Sequence, residues 1–206
     1  MTKRLNSKFS VCKRIRKKYK NVWGLTKGTG LRCTQNIQKR RKSLSNFGRL
    51  LNTKQCLKTF YCNLSERTFR IFLKKSVKSS LNTLDKFVSL IEMRLDIILF
   101  RASFVSSLYK ARQLINHGMI FVNSQPVFDI NKKIKPYDII EFRTKNSQFY
   151  DQVYADLKNN IDTRSFSSHL EVNYRSMRIL VLWHPKADGI YYPIKADYNT
   201  FYRLYK

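Results

Sequence analysis

The first 78 residues hold 23 lysines and arginines against a single acid, Glu66, and no other feature limits this chain so strongly. A segment of net charge +22 repels itself on compaction, so it becomes ordered only where something anionic neutralises it. From Ser79 onward 18 basic residues face 12 acidic ones, the balance of an ordinary globular surface. The whole chain of 206 residues carries a formal charge of +28, and a regular array of phosphates is the partner that fits such an excess. A protein lying on a membrane surface needs an uninterrupted basic amphipathic helix, which is missing here. The longest apolar runs, 97–100 and 179–183, fall far short of the roughly 18–20 residues of a membrane span, so no membrane association is expected. Hydrophobic residues still make up 43% of the chain, enough for a real core.

Residues 1–55 are basic, rich in serine and asparagine and weakly periodic, with Gly24, Gly28, Gly30 and Gly48 marking turns. Alone, such a stretch stays disordered, and it gains order against RNA. Its acid-free first 20 residues have the composition of an organelle-targeting peptide but are read as part of the mature protein. Helical spacing begins with Leu57, Tyr61, Leu64, Thr68 and Ile71. After Ser79 and Ser80 a second helix is expected, with Thr83 as N-cap and Leu84, Phe87, Val88 and Ile91 as its apolar stripe.

Around residues 93–101, Ile91, Leu95, Ile98, Leu99 and Ala102 share one helical face, with Arg94 and Arg101 along its flank. A helix from Leu108 to His117 would bury Leu108, Ala111, Leu114 and Ile115 and turn Arg112, Gln113 and Asn116 outward; Gly118 suits a left-handed C-cap. Short apolar runs at 120–122, 127–130 and 139–142 alternate with turns at Asn123-Ser124 and Pro136-Tyr137-Asp138. The stretch 144–168 reads as a helix or linker, 169–174 and 178–183 as a hairpin, and Asp188-Gly189 as a turn. Asp197 would cap a final short helix ending near Tyr205.

The fold class that follows is α+β: a basic N-terminal extension and helical body carrying a small helix–helix–antiparallel-hairpin RNA-binding module. The basic, helical nucleic-acid-binding region is placed at 1–90, packing with a C-terminal tail at 150–206, and the module at 91–149. Cys12, Cys33, Cys56 and Cys62 form no C-x-x-C pair and have no nearby histidine, so reduced thiols, no metal and no cofactor are expected.

The run Arg94-Leu95-Asp96, Arg101, Ala111-Arg112-Gln113-Leu114-Ile115, His117-Gly118, Ile120, Val122-Asn123 and Asp138-Ile139-Ile140 resembles the small RNA-binding domain of ribosomal small-subunit protein four. Leu44-Ser45-Asn46-Phe47-Gly48, Lys54-Gln55 and Leu64-Ser65-Glu66-Arg67 are similar to the N-terminal half of that family, and His169-Leu170-Glu171-Val172 with Tyr205-Lys206 to its C-terminal tail. The variants most alike are the mitochondrial forms of plants and algae, which sets the mitochondrion ahead of the plastid. The resemblance implies a non-enzymatic constituent of the small ribosomal subunit. It would bind small-subunit rRNA, sit beside other small-subunit proteins and lie where mRNA enters. The family's paired metal-binding cysteines are absent, and Ser124 stands where the hairpin turn carries glycine.

Candidate RNA contacts are Arg40, Arg41, Lys42, Arg49 and Lys54 in the basic segment, and Arg94, Arg101, Lys110, Arg112, Gln113, His117, Asn123, Lys132, Lys133 and Lys135 in the module. Arginine grips phosphate with two parallel hydrogen bonds, which motivates the three module arginines as one face. The competing reading for Arg112 is an ion pair with Asp96. His117 fits a structural role at the helix end better than RNA contact, and Phe121, Phe128 and Phe142, at strand positions, fit the core better than base stacking. Arg94-Leu95-Asp96 also imitates the catalytic motif of pseudouridine synthases. Here, however, the triplet opens the module itself, and residues 150–206 are too few for that enzyme's catalytic domain.

Overall fold

The computed structural model describes residues 45–62, 64–79, 82–143, 150–151, 153–155, 157–158 and 167–190. The chain divides into two compact units, Met1–Phe69 with Tyr192–Lys206, and Arg70–Tyr191. The expectations for the N-terminal turns, for Arg40, Arg41 and Lys42, and for the final helix lie outside the described residues.

Helix α1 spans Asn46–Phe60. Ser45 starts it, its Oγ accepting the Gly48 N–H at 3.2 Å, so Gly48 sits in the first helical turn and not in a loop. The helix begins well before the periodicity at Leu57 because its apolar contacts, Leu57 and Phe60, come late. The single expected helix through Ile71 is in fact two. Tyr61 ends α1, Cys62 takes a φ of 58°, and α2 runs Glu66–Val77. Ser65 Oγ accepts the Thr68 N–H at 3.2 Å and caps α2. The buried face of α2 is Phe69, Phe72, Leu73 and Ser76, while Ile71 is exposed.

Helix α3 spans Thr83–Glu92, capped by Asn82, one residue ahead of the expected Thr83. It does not continue into helix α4, Leu95–Arg101, because Arg94 is extended between them, with φ −83° and ψ 141°. The chain at 132–134 holds this break: Leu95 N–H donates to the Lys132 carbonyl at 3.1 Å and Ile134 N–H to the Met93 carbonyl at 2.9 Å. All of α4 is buried, so it has no polar flank. Helix α5, Leu108–Asn116, is capped by Ser107 and buries Leu108, Ala111, Leu114 and Ile115, as the spacing predicts. It closes with Gly118 N–H to the Ile115 carbonyl at 2.9 Å and Met119 N–H to the Leu114 carbonyl at 3.2 Å. That paired closure requires the left-handed φ of 67° at Gly118.

The sheet comprises β1 Ile120–Val122, β2 Gln125–Pro126, β3 Ile139–Phe142, β4 Leu170–Asn173 and β5 Arg178–Val181, ordered β2-β1-β3-β5-β4. Every neighbouring pair is antiparallel. The expected strand at 127–130 is replaced by the two-residue β2: the Val127 N–H still donates to the Ile120 carbonyl at 3.0 Å, but Val127 turns into the core and Phe128 stays exposed. The expected module boundary at 149 does not hold for the sheet. Ile140 pairs with Ile179, so the later hairpin extends the module's own sheet. Ile120, Val122, Ile140, Phe142, Ile179 and Val181 alternate onto its buried side.

Candidate nucleic-acid interface

Two arginines expected at the surface are inside. Arg94 is 2% exposed and grips Asp96 through Nε to Oδ1 at 3.1 Å and Nη2 to Oδ2 at 2.9 Å. Arg101 is 7% exposed and forks onto the fully buried Glu92 at 2.9 and 2.8 Å. The expected flank failed because α4 is covered on every side, and a buried cation needs a buried carboxylate. Both pairs therefore orient α4, and the three-arginine face reduces to Arg112. The ion pair foreseen for Arg112 is present, its Nε lying 3.1 Å from Asp96 Oδ2. A quarter of that side chain remains exposed, at the edge of the polar side of α5.

Gln113, Asn116 and His117 are exposed along the same helix, with His117 at its C-cap. Lys110 is half-buried in the first turn, its N–H donating to Ser107 Oγ at 3.3 Å. Asn123 is exposed, but its side chain fastens the turn: it donates to Asp138 Oδ1 at 2.9 Å and accepts the Ile139 N–H at 3.0 Å. Asn123 and Ser124 both have positive φ, 50° and 67°, as a type I′ turn requires, so the hairpin keeps that geometry without glycine.

The loop before β3 carries Lys132, half-buried, with Lys133 and Lys135 exposed. Its backbone is fixed: Arg94 and Lys133 form an antiparallel bridge, and Lys135 N–H donates to Asp138 Oδ2 at 2.8 Å. Lys133 Nζ lies 5.1 Å from the centre of the Phe72 ring. Its pKa is lowered by burial first, then by Lys75, Lys86 and Arg94. Of the three candidate aromatics, Phe142 is buried, Phe121 is half-buried under the Arg143 guanidinium, and Phe128 is exposed against Gly118. In the first unit, Arg49 is exposed on α1, whereas Lys54 and Lys58 both pair with Glu66.

Sequence reasoning missed Lys75 and Lys86. Residues from α2, α3 and a distant loop converge there, and spacing within one element cannot show that. Among the described residues no group of His, Cys, Asp or Glu is placed to hold a metal, and no helix is long and apolar enough to cross a membrane.

The family model for the S4 domain matches residues 93–140, the stretch that holds α4, α5 and the first hairpin. Small ribosomal subunit protein uS4 of Cereibacter sphaeroides strain ATCC 17029 is 32% identical over 213 aligned positions, covering 100% of this chain and 98% of that protein. The proteins of the same name from Caulobacter vibrioides strain NA1000 and Methylobacterium nodulans are 30% and 31% identical, each covering 100% of this chain and 99% of the relative. The chain belongs to the uS4 family. Membership covers the N-terminal basic segment and the C-terminal tail as well as the module, which separates this chain from enzymes that carry the module alone.

Proposed function

We propose that this protein is an architectural, non-enzymatic constituent of the small ribosomal subunit that binds its rRNA and helps the subunit assemble. The observation that carries the reading is the end-to-end likeness to uS4 proteins in a chain of formal charge +28. Arg112, Gln113 and His117 on α5, with Lys110 and the loop lysines Lys132, Lys133 and Lys135, form the module's contact face. Asn123 shapes the turn beside it. Arg40, Arg41, Lys42, Arg49 and Lys54 add phosphate contacts from the basic segment. Lys54 does so while it also pairs with Glu66.

The finer reading is a mitochondrial ribosome. A sequence rich in Lys, Asn, Ile, Phe and Tyr suits an AT-rich organelle genome, and the likeness to plant and algal mitochondrial forms points the same way. Other small-subunit proteins would flank it, near where mRNA enters.

The test is a salt titration of rRNA binding by the full chain. If about 6–10 phosphates are neutralised, affinity for small-subunit rRNA falls by roughly 10³–10⁵ between about 50 and 200 mM salt, taking duplex DNA as the scale. A flat response sinks the reading. Mass spectrometry of purified mitochondrial ribosomes tests the location.

A further inference from the structure

Helix α2, the α3–α4 break and the loop before β3 come together at Lys133. Phe72 and Lys75 are three apart on α2, so they share a face. Lys133 Nζ stands over the Phe72 ring at 5.1 Å. Lys86 lies on α3, and its charge lowers the pKa of both Lys133 and His184. Lys133 has little freedom to move away, because its backbone bridges to Arg94 and its neighbours Lys132 and Ile134 are hydrogen-bonded to Leu95 and Met93. Beneath it lies Arg94, whose Nη1 is buried and has no hydrogen-bond partner among the described residues. The nearby acids are engaged. Asp96 already holds two guanidinium groups, and Asp85, which keeps its charge, is oriented by accepting the Ala187 N–H at 2.9 Å.

Bland accounts exist for each residue alone. Lys75 suits the C-terminal end of a helix dipole, Lys133 a cation–π contact, and Lys86 a solvated helix face. None explains why the fold brings the three charges together around a partly desolvated one. The arrangement costs the free protein electrostatic energy that an anion would return.

We infer that Lys75 and Lys86, with Lys133 shared from the module's contact face and set over the buried Arg94, form a second surface that grips the phosphate backbone of RNA. It rests on the rRNA-binding reading above and extends it. Asp96 links the two surfaces, since its carboxylate takes Arg94 on the lysine side and Arg112 on the α5 side. The RNA backbone would thus be held on both sides of one buried ion cluster, which fixes the module's orientation on it.

The experiment compares three full-length proteins binding small-subunit rRNA across a salt series. They are the wild type, a Lys75→Gln/Lys86→Gln/Lys133→Gln variant, and a Lys158→Gln/Arg175→Gln/Arg178→Gln variant that removes equal charge from exposed positions. The lysine-cluster variant should show a salt slope smaller by about two to three, near one unit per phosphate released, and affinity weaker by roughly tenfold or more. Its thermal midpoint should match or exceed that of the wild type, because mutual repulsion is relieved. The control should keep most of the slope. A cluster variant with the slope of the wild type or of the control overturns the inference. So does a variant that melts earlier yet binds normally, since the lysines would then serve only packing. Wild-type protein without salt-dependent binding overturns the rRNA reading, and this inference falls with it.

Discussion

Arg112 Nε lies 3.1 Å from Oδ2 of Asp96, a carboxylate that is 1% exposed and already forked by Arg94. One buried acid thus neutralises a fully buried guanidinium and anchors a second at the surface. The two arginines should respond unequally to its loss. Asp96→Asn leaves Arg94 buried without a counter-charge and should cost about 3–5 kcal/mol in urea unfolding. Arg112→Gln leaves Arg94 with both its bonds to Asp96, and Arg112 is partly solvated, so about 1 kcal/mol is expected. Equal losses in the two variants would show that Arg94 does not depend on Asp96.

Arg101→Gln separates a scaffolding role from RNA contact. The Glu92 carboxylate it leaves behind is 0% exposed, so destabilisation of about 3–5 kcal/mol is expected. Binding to rRNA, measured well below the melting point, should keep the wild-type salt slope. A slope reduced by about one unit in folded protein would return Arg101 to the RNA surface.

What could be read from the sequence follows the range of the interaction involved. Helix α5 was legible to its ends because Ser107, the stripe from Leu108 to Ile115 and Gly118 are local signals that agree. The α3–α4 break was not, because the apolar pattern runs through Met93 and Arg94 unbroken. The strand-like contacts from residues 132–134 that part the helices come from far along the chain. The burial of Arg94 and Arg101 was hidden for the same reason: a heptad-spaced pair looks like a flank until the fold covers it. The hairpin at 170–181 was found, but not its pairing with β3, since nothing in a strand's own pattern names its neighbour. Among the candidate contacts, those on α5 and in the loop came out exposed or half-exposed, and the lysine cluster needed three elements in place.

Ser124 holds φ 67° in the β1–β2 turn, where a Cβ crowds the following carbonyl. Ser124→Gly should therefore stabilise the protein by up to about 1 kcal/mol, with part of the gain offset by the greater entropy glycine adds to the unfolded chain. Asn123→Ala should do the opposite by about 1–2 kcal/mol, because it removes the bonds to Asp138 and to the Ile139 N–H as well as a residue suited to positive φ. Both are read from thermal midpoints. A destabilising Ser124→Gly would mean that the serine side chain supports the turn.

Stability should fall on mild acidification, with His169 as a principal cause. Its ring is 1% exposed, and neither nitrogen has a hydrogen-bond partner among the described residues. Burial lowers its pKa, and Arg101 lowers it further while Glu92 raises it. His184 is lowered too, by burial and then by Lys86. In the unfolded chain an imidazole titrates near about 6.5. Just below that pH the unfolded chain takes up protons that the folded protein refuses, so the contribution is full above about 6.5 and is lost as pH falls toward the lower folded values. His169→Phe keeps an apolar ring of similar size and removes the titration. Between about pH 7.5 and 5.5 the wild type should lose more unfolding free energy than this variant, and His184→Gln should show a separate, same-signed reduction in the loss. If wild type and His169→Phe lose stability in parallel across that window, burial does not set the protonation of His169; a wild type that loses less than the variant would mean that the Glu92 carboxylate holds the ring protonated in the fold.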